Sequence, residues 1–323
     1  MARPTLLPGL PRAWRTPHTL QLGTVLVDLP DPRAAGLLDL LDGSRPERVV
    51  LARAAEHGLS PAEARALLDT LQAAGLVRPA QRVLPPQDRL VAEATALALH
   101  DDPAPARTLR RRAAARVVVT GQGRLGAPVA LALAEAGVGA VHPDLPGRVT
   151  AAELPGGPLR AADIGRVRGE AVTSALVRAA PEIDTRAVRR GAATIVIQLS
   201  YAQPAALLAA AHAGRRQPHL ALGIRDGVAV IGPFVPEAGA PCLNCIDLHR
   251  RDRDAGWSAP ATDTEPCAVT TVLAATAYAT AEALTFLDGG TPGTLGSTVE
   301  ISTPGRSRRR TWPGHPSCSC VSR

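Results

Sequence analysis

Apolar and polar positions change their period along this chain, and the change divides it in two. From Leu20 to Asp28, Leu-Gln-Leu-Gly-Thr-Val-Leu-Val-Asp alternates and branches as a strand does, and it stops at Pro30 and Pro32. Residues before about 19 are rich in Pro and Arg and read as irregular. Three short helices follow. The first runs over Ala34 to Leu41, and the others open at Ser44-Arg45-Pro46-Glu47 and Ser60-Pro61-Ala62-Glu63, each a serine cap with glutamate three residues on. In the third helix Ala64, Leu67, Leu68 and Leu71 recur at i, i+3, i+4 and i+7, with Gly75 as the stop. Leu76-Val77 begins a returning segment. A strand, three small helices and a returning ribbon describe a winged-helix-like domain over residues 1–86. A linking helix from Gln87 to Asp102 and an Asp102-Pro103-Ala104-Pro105 hinge fill residues 87–109.

Beyond Arg110 the period changes again. Val117-Val118-Val119 reads as a buried parallel strand, because β-branched side chains fit a sheet covered on both faces. Gly121, Gly123 and Gly126 form a GxGxxG turn between that strand and an Ala/Leu helix. In such a turn one glycine makes the bend, the second lets a phosphate approach, and the third packs helix on strand. A nucleotide-binding crossover and a strand–turn–helix that binds nothing both fit this pattern. Further strands are expected at Gly137 to His142, Ala193 to Leu199, Leu220 to Gly223 and Val228 to Pro233, with Asp226-Gly227 as a hairpin turn. Helices are expected over Ile164 to Ala180 and Ala205 to Ala213. The alternation predicts an α/β domain over residues 110–323, Rossmann-like, with a mostly parallel sheet.

Composition narrows the chemistry. The chain carries a formal charge of +7 without a single lysine, which excludes a Walker lysine, a Schiff-base lysine and a lysine general base. Arginines cluster at Arg110-Arg111-Arg112, Arg250-Arg251 and Arg308-Arg309-Arg310 with few aromatics beside them, which reads as solvated surface more than as a nucleic-acid face. In the N-terminal domain acidic residues such as Asp28, Asp39, Glu56 and Asp69 balance the arginines, so peptide docking or packing is favoured there over DNA. No apolar run reaches membrane-spanning length and Met1-Ala2-Arg3-Pro4 leads into no signal core, so a cytoplasmic protein is expected.

Five cysteines in such a compartment point to metal or free thiols. Cys242-Leu243-Asn244-Cys245 and Cys318-Ser319-Cys320 offer two thiolate pairs, enough for a closed tetrahedral zinc that would pin the C-terminal tail. Four thiolates leave no open position, so the expected role is structural. His249 and His315 are candidates to replace a sulfur or to support one. Cys267 is left over, as a small buried apolar residue or a nucleophile without an assigned partner.

The order of these signals resembles the ThiF/MoeB adenylyltransferases related to ubiquitin-activating enzymes, from about Arg110 onward. The resemblance rests on the glycine turn, Asp144, Asp163-Ile164-Gly165, the CxxC and the late helix containing Ala281-Glu282-Ala283-Leu284. Cys242 to Asp254 and His315 to Cys320 look more like the actinobacterial ThiF-like proteins named for binding leader peptides of azole-forming pathways. The resemblance implies ATP in the glycine turn, a precursor peptide or carrier protein as partner, and a homodimer. It implies Gly121, Gly123 and Gly126 on phosphates, Asp144 on the ribose, and Arg124 or Arg168 as the cation. Departures are specific. Ala152-Glu153 stand where the family has Ser-Asn, Gly156-Gly157 where it has Arg-Gln, Arg168 where it has lysine, and Ser200 where its magnesium aspartate follows the third strand. A degenerate peptide- or carrier-binding protein therefore competes with an active adenylyltransferase whose magnesium ligands are not identified. An NAD-dependent oxidoreductase shares the glycine turn but leaves the cysteines unexplained.

Overall fold

The computed structural model describes residues 3–188, 192–200, 203–237, 239, 241–256, 266–303 and 305–320. The chain divides into two compact units, Met1–Arg110 and Arg111–Arg323.

In the first unit β1 (Pro4–Leu6) pairs antiparallel with β5 (Val77–Pro79), so the segment expected to be irregular contributes a strand at its start. It contributes another at β2 (Arg12–Trp14), which joins β3 (Thr19–Leu22) and β4 (Val25–Asp28) in a three-stranded antiparallel sheet. These short strands were unreadable because each has only three residues; β1 draws its pairing from distant chain, and β2 folds back on the neighbouring β3. Of the three expected helices, the first is a 3-10 helix, Pro32–Leu40, opened by Asp31 accepting from Arg33 N. The second, α1 (Glu47–Ala52), starts at Pro46, which has no side-chain cap; Ser44 instead donates to Asp42 at 2.5 Å. The third, α2 (Pro61–Ala73), has the full Ser60/Glu63 capping box and buries Ala64, Leu67, Leu68 and Leu71. The short helix α3 (Ala80–Val83), α4 (Val91–Leu99) and α5 (Pro105–Ala114) follow, so helix resumes at the last residue of the expected hinge.

The second unit is built on one seven-stranded sheet. Its strands are β6 (Arg116–Thr120), β7 (Ala140–Asp144), β8 (Ile195–Gln198), β9 (His219–Arg225), β10 (Val228–Val235), β11 (Ser297–Thr303) and β12 (Arg306–Thr311). The order is β12-β11-β10-β9-β8-β6-β7. Neighbours from β7 to β9 pair in parallel, which makes four of seven strands a parallel block, and β10 to β12 extend it antiparallel. The helices are α6 (Gly126–Glu135), α7 (Arg168–Ala179), α8 (Ala205–Gly214), α9 (Leu243–Arg253) and α10 (Val269–Leu287). Helix α7 starts four residues after the expected Ile164. The core is aliphatic: Val117, Val119, Val129, Leu133 and Ile197 are fully buried. Val272, Ala275, Ala279 and Ala283 form the buried stripe of α10, where alanine lets a helix lie close to the sheet.

The last hairpin, β11–β12, was not anticipated. Arg-Ser-Arg-Arg-Arg-Thr has no apolar alternation, and it is a strand because Thr298, Val299 and Glu300 pair with Arg310, Arg309 and Arg308.

Candidate functional site

Strand β6 leads through α6 to β7 on one side, and the chain then returns through α7 to β8 on the other side of β6. This reversal opens a crevice at the carboxyl ends of β6 and β8, the place where such sheets bind ligands. The glycine turn occupies it. Gly121 has φ +104° and Gly123 φ +129°, a region that disfavours any side chain. The turn is stitched on both sides, by Gly121 N to Asp144 O at 3.4 Å and Gln122 N to Ser200 O at 2.9 Å.

The three glycines have different surroundings. A Cβ on Gly121 would lie 2.8 Å from Ser200 O, and one on Gly126 would lie 2.7 Å from Leu199 Cδ1. Both are close-packing positions. A Cβ on Gly123 would meet nothing within 4 Å, so that backbone faces open space. Helix α6 begins beside it without a side-chain cap on its N-cap residue, Leu125. Such a terminus can receive an anion.

Asp144 is exposed at the end of β7, and its Oδ2 accepts from Thr120 Oγ1 at 2.9 Å. It stands at the crevice rim as a carboxylate with room for another donor. Arg124 reaches Cys267 O at 2.8 Å and Pro155 O at 3.4 Å, while its Nε is buried with no hydrogen-bond partner among the described residues.

Arg168 differs from its sequence-based role as a phosphate cation. It is 2% exposed. Its guanidinium pairs with Glu153 at 2.7 Å and also donates to Pro146 O and, at 3.0 Å, to Arg148 O. Glu153 in turn accepts from Thr150 N at 2.9 Å. The pair closes the loop after β7, and its donors are taken. Glu153 was missed as a functional partner although Thr150-Ala-Ala-Glu153 carries the capping signature in the sequence.

The cysteines converge as the sequence implied. Sγ atoms of Cys242 and Cys318 lie 3.6 Å apart, those of Cys245 and Cys320 3.2 Å, and those of Cys242 and Cys245 3.9 Å. A tetrahedral ion with bonds of about 2.3 Å requires sulfurs about 3.8 Å apart, so the donor set fits a metal such as zinc. Burial pushes the Cys242 thiol up to about 11. Burial also acts on Cys318, but hydrogen bonds from the Cys320 backbone and Asn244 outweigh it and bring that thiol down to about 7. A cation among them would stabilise all four as thiolates. Cys267 stands apart, with Sγ 3.6 Å from Gly227 O.

His249, Asp252 and His315 form a second group of ligand-type side chains. His315 Nδ1 accepts from Ser317 N at 3.1 Å, so Nε2 holds the ring proton and meets Asp252 Oδ2 at 2.8 Å. His249 Nε2 donates to Pro313 O at 3.1 Å. These bonds, with His315 N to Cys245 Sγ at 3.3 Å, tie the tail to α9. The histidines thus support the cysteine cluster and do not replace a sulfur.

Neither protein-family models nor curated proteins match this chain. Solved structures do. The crystal structure of E. coli MccB with ATP superposes with a TM-score of 0.63 over 98% of this chain and 99% of that one, at 16% identity. The microcin C7 biosynthetic enzyme MccB in complex with N-formylated MccA gives the same TM-score, identity and coverage. This chain has the MccB fold. PaaA is a more distant neighbour, with a TM-score of 0.57 over 76% of this chain and 91% of that one, at 17% identity. Among the described residues no helix is long and apolar enough to cross a membrane.

Proposed function

We propose that this chain is a ThiF/MoeB-like protein of the leader-peptide-binding type, with a phosphate cradle that binds ATP and a catalytic apparatus that has degenerated. One contrast within the crevice carries the reading. Gly123 faces open space beside the uncapped start of α6, whereas Arg168, at the family's lysine position, is buried against Glu153. Gly121, Gly123 and Gly126 then serve the phosphates, Asp144 the ribose, and Arg124 supplies charge at the rim. Ser200, at the place of the magnesium aspartate, is engaged through its backbone with Gln122 and offers a divalent ion no carboxylate.

The first unit would act as a winged-helix-like reader of a peptide. Its three-stranded sheet has β2 and β4 at the edges, with Trp14 47% and Leu26 60% exposed on them. An extended peptide can add to such an edge. MccB, whose fold this chain shares over both units, is crystallised with the peptide MccA. Titration with ATP by calorimetry, followed by ATP–pyrophosphate exchange with candidate leader peptides, tests the reading. Binding without exchange is expected. Robust peptide-dependent exchange would instead establish an active adenylyltransferase, the reading favoured by the likeness to a protein solved with ATP.

Cys242, Cys245, Cys318 and Cys320 would hold a structural zinc, on the sulfur spacing above. Reduced, purified protein should contain about one zinc per chain; a clearly lower content rejects the assignment. A homodimer and a cytoplasmic location follow from the same family reading, and light scattering tests the first.

A further inference from the structure

Among the described residues strand β12 is an edge of the large sheet, and it reads Arg306-Ser307-Arg308-Arg309-Arg310-Thr311. Alternation puts Arg306, Arg308 and Arg310 on one face of the strand. Beside it lies Trp312, which is 3% exposed, donates from Nε1 to Thr298 Oγ1 at 2.9 Å, and meets His249 and several arginines with its ring. The guanidinium carbons of Arg310, Arg253 and Arg250 sit 5.1, 5.2 and 5.9 Å from the ring centroid. Two segments far apart in sequence, the end of α9 and the edge strand, therefore bring their cations to one indole.

Stacking on an aromatic ring orders these side chains before any partner arrives. It also holds like charges close. Of the acids nearby, Asp247 pairs with Arg251 at 2.9 Å and Asp252 with His315, while Glu300 lies opposite Arg308 in the β11–β12 ladder. Among the described residues no carboxylate forms an ion pair with Arg253, Arg306, Arg308 or Arg310. A charged edge deters indiscriminate strand pairing, but Arg253 and Arg310, ordered on a common ring without an ion pair to a carboxylate among the described residues, exceed that need.

We propose that the β12 edge and the Arg–Trp312 cluster form a docking surface for an acidic, extended peptide segment, which adds to the sheet as an eighth strand. The unpaired edge supplies backbone donors and acceptors, and the arginines select negative side chains. Nucleic acid would share the charge complementarity. It fits less well, because Trp312 lies beneath the arginines and offers no face on which a base could stack. The surface belongs to the second unit and the three-stranded sheet to the first, so it stands or falls independently of the peptide reader proposed there.

Fluorescence anisotropy with a labelled decapeptide alternating Glu and Thr tests the proposal on the full chain. The peptide should bind, weaken as salt rises past about 100 mM, and lose about tenfold in affinity with R308E/R310E. These residues lie on an edge strand, and an unchanged circular dichroism melt would verify that the variant is folded. Alternate N-methylation of the peptide should remove most of the affinity, because it deletes backbone donors while keeping charge. A Gln-for-Glu peptide should not bind. An oligouridylate that binds as tightly as the acidic peptide, N-methylated peptide that binds as well as the parent, or no binding at low salt would each overturn the proposal.

Discussion

Arg168→Met is the substitution that most directly separates a structural from a nucleotide-binding role for this arginine. Both members of its ion pair are buried, with side chains 2% and 4% exposed, so solvent screens them little. Removing one partner of a buried pair leaves an uncompensated charge and costs about 3–5 kcal/mol. For a unit of this size that corresponds to a fall of about 6–20 °C in melting temperature. Adding Glu153→Gln removes the stranded charge and should recover most of the loss. About 1–2 kcal/mol should persist, since the carbonyls of Pro146 and Arg148 still lack their donor. Arg168→Lys should behave more like Met than like wild type, because an ammonium cannot reach Glu153 and two carbonyls in the guanidinium's fork geometry. Thermal unfolding followed by circular dichroism, paired with ATP titration of each folded variant, measures both consequences. If Arg168→Met melted within about 2 °C of wild type while losing ATP binding, the buried-clamp argument would fail and the arginine would belong to the phosphate site.

Two further outcomes follow from the same geometry. Gly121→Ala should destabilise by about 1–3 kcal/mol and more than Gly123→Ala, because both have positive φ but only the first places Cβ against the Ser200 carbonyl; equal chemical-denaturation losses would refute the packing argument. Burial lowers His212 to about 3, with His219 and Arg215 adding to the effect, and lowers His219 to about 4. The unfolded chain therefore binds protons below about pH 6.5 that the folded chain refuses, and stability should fall as pH drops from there toward 4, by up to about 1.4 kcal/mol per pH unit for each ring. Urea titrations between pH 7.5 and 5, above the carboxylate range, should show this slope in wild type and a flatter one in His212→Gln/His219→Gln; a flat wild-type profile would contradict it.

Much of the local structure was legible in residue order. Ser60 and Glu63 cap α2 because hydroxyl and carboxylate answer the two backbone donors at that helix start, a relation complete within four residues. The valine strand, the glycine turn and its helix follow from β-branching and from φ values that only glycine tolerates. The four cysteines announced a shared centre because two close thiolate pairs suit one tetrahedral ion. Other relations depend on long-range approach. Glu153 and Arg168 are ordinary exposed-type residues in the sequence, and burial turned a capping glutamate and a candidate phosphate cation into one closed pair. The β12 strand exists through its ladder with β11, and its arginines gained a common surface when α9 and Trp312 came alongside.

The glycine turn shows where the division falls. Its backbone shape was determined by the sequence alone, since Gly121 and Gly123 adopt positive φ without a side-chain penalty. Which glycine stays open was decided by the tertiary structure, because Leu199 and Ser200, just past the end of β8, close on Gly126 and Gly121 and leave Gly123 open.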